Sequence, residues 1–101
     1  MDIDIIIPIY NAFDFVKKCI ETVIEHTDLT QHTLLLVNDK STDERILPLL
    51  NSFIKENQSL NIILIDNKDN QGFVRTVNIG MQYSHHDVVL LNSDTEATRN
   101  W

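Results

Sequence analysis

A single cysteine, Cys19, stands in the 101 residues, which excludes an internal disulfide framework and an all-cysteine zinc site. Glycine occurs only at Gly72 and Gly80. Neither opens a GxGxxG or GxxxxGK(S/T) loop, so the dinucleotide-binding fingerprint and the P-loop are both missing. Basic residues are few: 8 Lys and Arg against 15 Asp and Glu, for a net charge of −7. That balance excludes a surface that coats nucleic acid. It leaves open a nucleotide ligand, because a divalent cation can bridge an acidic site to phosphates. No apolar run approaches the ~20 residues needed to span a bilayer. Asp2 and Asp4 also leave no basic region for a signal peptide. The expectation is a cytoplasmic chain, with membrane association only through a longer parent.

What is present is an alternation. Ile3 to Ile9 is rich in β-branched residues and predicts a strand, with Pro8 marking its end because proline cannot donate to a sheet ladder. From Phe13 to about His26, Val16, Cys19, Ile20, Val23 and Ile24 recur at helical spacing. Cys19 falls in that stripe and reads as a small core residue. His26 and His32 read as surface residues. Thr33 to Val37 predicts a second strand. Ser41 and Glu44 fit a capping box, followed by an apolar stripe of Ile46, Leu47, Leu50, Phe53 and Ile54. Pro48 in that stripe predicts a kink or a restart of the helix. Asn61 to Asp66 predicts a third strand. Phe73 to about Tyr83 predicts a third helix, with Val74, Val77 and Met81 as its apolar positions. Gly80 inside this helix costs about 1 kcal/mol against Ala, which points to close backbone packing or a weak helix end. His85 and His86 read as loop residues. Asp87 to Leu91 then predicts a fourth strand buried on both faces, running into Asn92-Ser93-Asp94.

Strands alternating with helices predict one α/β domain, a mainly parallel sheet with helices on both faces. Sheets of this kind bind ligands beyond the carboxyl ends of their strands. Here those ends carry Pro8 to Asn11, Asn38 to Ser41, Asn67 to Gly72, and Asn92 to Asp94. Four polar loops at one edge suit a ligand with hydroxyls and a diphosphate. Without a glycine phosphate loop, the positive charge must come from elsewhere. A divalent cation on a carboxylate supplies it, and Asp94 is the candidate.

Four blocks, taken together, resemble a known family. They are Ile5-Ile6-Ile7-Pro8-Ile9-Tyr10-Asn11, Leu36-Val37-Asn38-Asp39-Lys40-Ser41-Thr42-Asp43, Asn70-Gln71-Gly72 with Asn78-Ile79-Gly80, and Val88 to Asp94. In this order and spacing they resemble the family 2 glycosyltransferases of GT-A fold, over the nucleotide-binding part of that fold. The resemblance implies a Rossmann-like GT-A half-fold with strand order 3-2-1-4, whereas a flavodoxin-like regulator would have order 2-1-3-4. It implies that Pro8, Ile9 and Tyr10 line a nucleoside pocket and that Asp39 accepts a hydrogen bond from the base, commonly uracil. Asn70 and Gly72 close over the nucleotide, with Asn78 behind them. Asn92-Ser93-Asp94 stands where the family has Asp-x-Asp, so Asp94 would bind Mg²⁺ or Mn²⁺ and Asn92 a ribose hydroxyl.

The implied donor is a UDP-, GDP- or dTDP-linked sugar, and the acceptor of the whole enzyme is a carbohydrate or lipid-linked hydroxyl. The implied reaction is a metal-dependent, inverting transfer whose catalytic base lies beyond Trp101, so the chain alone is expected to be inactive. A non-catalytic nucleotide-binding or interaction module is the alternative. Asn38 and Asn92 depart from the family's common Asp, and Val77 from its common Arg. Arg75 is expected on a solvated helix face. The fourth strand is expected to form an exposed edge that promotes homodimerisation.

Overall fold

The computed structural model describes residues 2–84 and 86–93. Seven elements alternate along the chain: β1 (Ile3–Ile9), α1 (Phe13–His26), β2 (Thr33–Asn38), α2 (Ile46–Glu56), β3 (Ile62–Asp66), α3 (Phe73–Tyr83) and β4 (Asp87–Leu90). The strands form one parallel sheet in the order β3-β2-β1-β4. This is the order expected for the glycosyltransferase-like half-fold and not that of a flavodoxin-like regulator. The chain lays β1, β2 and β3 outward in one direction and then returns to place β4 on the far side of β1. The order therefore reverses at β1, where sheets of this class open a crevice at their carboxyl edge.

The strand side chains alternate between two cores, as the pleat requires. Ile5, Ile7 and Ile9 of β1, with Leu34 and Leu36 of β2, pack on one face with Val16, Cys19, Ile20 and Val23 of α1 and Ile46, Leu50 and Phe53 of α2. Cys19 is thus a core residue, as expected. On the opposite face, Ile6, Leu35 and Val37 pack with Ile79 of α3 and with Ile63, Ile65 and Val88. Gly80 explains how close α3 comes. A Cβ built on it would lie 2.9 Å from Cγ2 of Ile6 and 3.3 Å from Cγ2 of Val37.

That close approach rotates α3 away from the expected face. Thr76, Val77 and Gly80 are buried, whereas Val74 and Met81 are 69% and 46% exposed. Spacing alone favoured the larger apolar side chains, but the sheet selects the face with room for backbone contact.

Pro8 does not end β1, which continues to Ile9. The carbonyl of Ile6 accepts Leu91 N–H at 2.9 Å, so Ile6 directs its polar groups toward β4. Pro8, two residues on, faces the same side, and β4 pairing has stopped at Ile6 and Leu90. A missing N–H there breaks no ladder bond. β4 itself is an edge strand and not one buried on both faces, because only β1 lies beside it among the described residues. Val89 and Leu90 remain 37% and 41% exposed.

The capping box is also absent. The second helix starts at Ile46, with Arg45 before it and no side-chain cap. Asp43 instead accepts the N–H and side chain of Arg45, which lowers its carboxyl to about 2. Pro48 then lies in the first turn of α2, where an N–H would lack a helical partner anyway, so neither kink nor restart is required. At the far end of the sheet, His32 is half-buried rather than a free surface residue, and its Nδ1 accepts Ile3 N–H at 3.1 Å. His86 lies in the bend before β4, against Asp4. His85 lies outside the described residues.

Candidate functional site

At the carboxyl edge, the sheet ladder runs on past the strands. Asp39 N–H donates to the carbonyl of Ile9 at 2.7 Å, and Asn67 N–H to that of Asn38 at 2.9 Å. These bonds hold the ends of three strands in register, so the residues that follow them converge. Asn38, 4% exposed, is the junction. Its Nδ2 donates to Asp66 at 3.0 Å and its Oδ1 accepts the Ser41 hydroxyl at 2.7 Å. Ser41 Oγ in turn accepts Asn11 N–H at 3.0 Å, and Asn11 Oδ1 accepts Asp43 N–H at 2.9 Å. An Asp at position 38 would lose the donor and set a second carboxylate against Asp66, which accounts for the amide here.

The loops carry backbone conformations that ordinary side chains rarely adopt. Asn11, Ala12 and Lys40 have φ values of 55°, 58° and 55°, in the left-handed region. Such residues cluster at ligand sites, where surrounding bonds hold the strain in place. Gly72, at φ 83° and ψ 163°, occupies a region open essentially to glycine alone.

Asp39 is the centre of the arrangement. It is 4% exposed, yet among the described residues no Lys, Arg or His pairs with it. Main-chain donors take that place. Gln71 N–H reaches Oδ1 at 2.6 Å and Gly72 N–H reaches Oδ2 at 2.9 Å. Asn67 Nδ2 donates to Oδ1 at 3.1 Å, and Asn70 Nδ2 donates to the Asp39 carbonyl at 3.2 Å. Gly72 immediately precedes α3, so the carboxylate also meets the positive end of that helix. Burial alone would raise the Asp39 pKa. The hydrogen bonds from Gln71, Asn67, Thr76 and Gly72 outweigh it, and the carboxyl stays below its ordinary value. The result is a buried group that is ionised at neutral pH and only accepts hydrogen bonds.

An open pocket of about 420 Å³ lies against this carboxylate, lined by Pro8, Ile9, Tyr10, Asp39, Asn70, Gly72, Phe73 and Thr76. Its size suits a small-molecule ligand. Tyr10 and Phe73 are 49% and 57% exposed on its walls. Six of the residues expected at the nucleotide site, Pro8, Ile9, Tyr10, Asp39, Asn70 and Gly72, are therefore brought together. Two are not: Asn78 and Asn92 are exposed and do not line the pocket. Asn78 sits on α3, two residues past the buried Thr76, and is exposed like Arg75. Asn92 follows β4, where its carbonyl lies 3.7 Å from Cys19 Sγ. Asp94, the expected metal ligand, lies outside the described residues. Among the described residues, no group of three or more His, Cys, Asp or Glu is placed to hold a metal, and no helix is long and apolar enough to cross a membrane.

Sequence reasoning missed Asn67, Phe73 and Thr76 as individual residues. Asn67 opens a loop that was flagged for function. Thr76 and Phe73 stand four and seven positions before Gly80, so reading Gly80 as the contact point of α3 places them on the same face.

Comparison with known proteins extends the argument. The chain is 33% identical over 71% of its length to a poly(ribitol-phosphate) beta-glucosyltransferase of Bacillus spizizenii, covering 11% of that protein. It is 30% identical over 96% of its length to polypeptide N-acetylgalactosaminyltransferase 11 of Xenopus tropicalis, covering 17% of it. The chain thus spans less than a fifth of either relative. In structure it is similar to a mannosyltransferase from Pyrobaculum calidifontis in complex with GDP-Man and Mn²⁺, with a TM-score of 0.87 at 17% identity. That match covers 97% of this chain and 29% of the mannosyltransferase, and it shows the same fold. With the family model for glycosyl transferase family 2 matched over residues 4–101, the chain belongs to that family.

Proposed function

We propose that this chain forms the nucleotide-sugar-binding part of a metal-dependent, inverting glycosyltransferase. The observation that carries the reading is the buried, ionised Asp39 at a pocket walled by Tyr10 and Phe73. An ionised carboxylate accepts hydrogen bonds and donates none. It therefore suits a base edge that presents a donor, and the ring N–H of uracil, thymine and guanine, which cytosine and adenine lack at neutral pH, supplies one. Tyr10 and Phe73 offer aromatic faces for the base, where stacking contributes about 1–3 kcal/mol. UDP-, GDP- and dTDP-linked sugars all meet the requirement.

Asn92 follows the strand beside β1 at the same sheet edge, with Asp94 two positions on in the sequence, and in this reading Asn92 meets the ribose and Asp94 holds Mg²⁺ or Mn²⁺. One carboxylate is a fitting donor set, because such cations commonly take one or two carboxylates, the phosphates and water. The bound cation would neutralise charge on the diphosphate. The residues seen here bind and orient the nucleotide. None of the pocket residues is free to act as a general base: Asp39 is ionised but bound by donors of its own chain. No residue of the pocket is assigned as the base that deprotonates the acceptor, and the chain alone is expected to bind donor without transferring sugar.

The test is calorimetric titration of the chain with UDP and GDP, with and without Mn²⁺, repeated with Asp94→Asn. Binding that strengthens with Mn²⁺ in the native chain, and loses that gain in Asp94→Asn, supports the reading. No binding of either nucleotide at millimolar concentration with metal refutes it.

A further inference from the structure

Thr76 lines the pocket although it is only 1% exposed. Its Oγ1 accepts Asn67 Nδ2 at 3.3 Å, and the same amide donates to Asp39 Oδ1 at 3.1 Å, which sets the Thr76 hydroxyl beside the Asp39 carboxylate. Gln71, Gly72 and Asn67 make three donors on that carboxylate. A carboxylate has about four lone-pair sites, so one is left on Oδ2 for a ring N–H that enters the pocket.

These three donors are held in place, whereas the Thr76 hydroxyl is not. The Gln71 and Gly72 donors are main-chain groups, fixed by the glycine-only conformation at Gly72 and the start of α3. The Asn67 amide is shared between Asp39 and Thr76, and its backbone is tied to Asn38. The Thr76 hydroxyl proton can turn about its C–O bond without moving any heavy atom.

We propose that Thr76 is a specificity-determining residue: as a ring N–H donates to Asp39, the Thr76 hydroxyl turns to donate to the ring carbonyl next to it. This rests on the functional reading above and deepens it. In that arrangement Thr76 Oγ1 still accepts from Asn67, so no buried polar group loses its partner. The pair Asp39 and Thr76 then reads a donor flanked by an acceptor, the edge shared by uracil, thymine and guanine. Cytosine presents a ring acceptor beside an amino donor and opposes both contacts.

The experiment is calorimetric titration of the full chain with UDP, GDP and CDP in Mg²⁺, for the native protein, Thr76→Ser and Thr76→Val. Thr76→Val keeps the shape and removes the hydroxyl. It is expected to lose about tenfold in affinity for the better-bound of UDP and GDP while CDP binding stays nearly constant, since one neutral hydrogen bond carries about that factor. Thr76→Ser keeps the hydroxyl and is expected to stay within about twofold of the native affinity. Selectivity over CDP is a readout that a merely structural role would not move. Equal losses for UDP, GDP and CDP, or native selectivity in Thr76→Val, overturn the proposal. If Thr76→Val fails to fold, Thr76→Ala is judged by the same selectivity. A native chain that binds neither UDP nor GDP overturns the functional reading as well, whereas native binding with an unaltered Thr76→Val overturns this inference alone.

Discussion

Asp39→Asn changes one atom type at the centre of the loop network, and the structure sets the size of its effect. The new amide keeps one oxygen and replaces the other with a donor. Its best orientation leaves the oxygen at the Oδ1 position, where it still accepts Gln71 N–H and Asn67 Nδ2. The NH₂ then faces Gly72 N–H, two donors in opposition. A buried donor without a partner costs about 1–3 kcal/mol. Gly72 is exposed, so water can reach it and the lower figure applies, about 1 kcal/mol. The two surviving bonds become neutral and lose about 1 kcal/mol each. Against these losses, a neutral side chain is easier to bury than a charged one, which returns about 1 kcal/mol. The net expectation is a loss of about 2 kcal/mol of unfolding free energy at neutral pH, measured by urea denaturation.

The difference must also depend on pH. Asp39 has its carboxyl below its ordinary value in the folded chain. Its contribution is therefore present above the unfolded carboxyl pKa, about 3.9, and is lost as pH falls through the lower folded value. Asn does not titrate, so the gap between native protein and variant should be constant from pH 7 to 5 and narrow below about pH 4. A variant as stable as the native chain at pH 7, or a gap unchanged at pH 3, would refute the account of how this carboxylate is held.

Three further outcomes are expected of the folded chain. Gly80→Val should destabilise the chain by about 2 kcal/mol or more in urea denaturation, because its Cβ already meets Ile6 at 2.9 Å and overpacking costs about 1–3 kcal/mol; native stability would mean that α3 does not lie this close to the sheet. Gly72→Ala meets nothing within 4 Å, but it must hold a φ of 83°, so a loss of about 1–3 kcal/mol is expected from backbone strain alone, together with weaker UDP binding by calorimetry. Val89→Lys should reduce self-association of the chain in light scattering, because Val89 is part-exposed on the open edge strand and a charge there opposes edge pairing. A native chain that stays monomeric across the micromolar range would count against association through this edge.

The strands and helices were legible because each apolar run is bounded by polar residues and each helix has a clear stripe. The order β3-β2-β1-β4 was legible only through family resemblance, since periodicity does not say which strands are neighbours. The face of α3 was misread because hydrophobicity pointed to Val74 and Met81, while the contact is made through Gly80, which has no side chain to signal it. Pro8 looked like a strand end because the sequence does not reveal that β4 stops beside Ile6. Ser41 looked like a helix cap because Glu44 follows it at the right spacing, whereas its partners are Asn38, which precedes it, and Asn11 in the loop after β1. Of the pocket, the residues at strand ends were legible. Asn67 and Thr76 were not, because their importance comes from contact with Asp39 across 28 residues of sequence in the first case and from a buried hydroxyl on an otherwise apolar face in the second.

The most direct test of the central claim is an amide-resolved NMR titration of the native chain with UDP in the presence of Mg²⁺, with GDP in parallel. The Gln71 and Gly72 N–H groups donate to the carboxylate that is assigned to the base, so they report on it at the point of contact. The account predicts saturable shifts that are largest at Tyr10, Gln71, Gly72 and Phe73 for at least one of the two nucleotides, and that vanish in Asp39→Asn. Saturable binding that leaves Gln71 and Gly72 unmoved, or that survives intact in a folded Asp39→Asn variant, would contradict it.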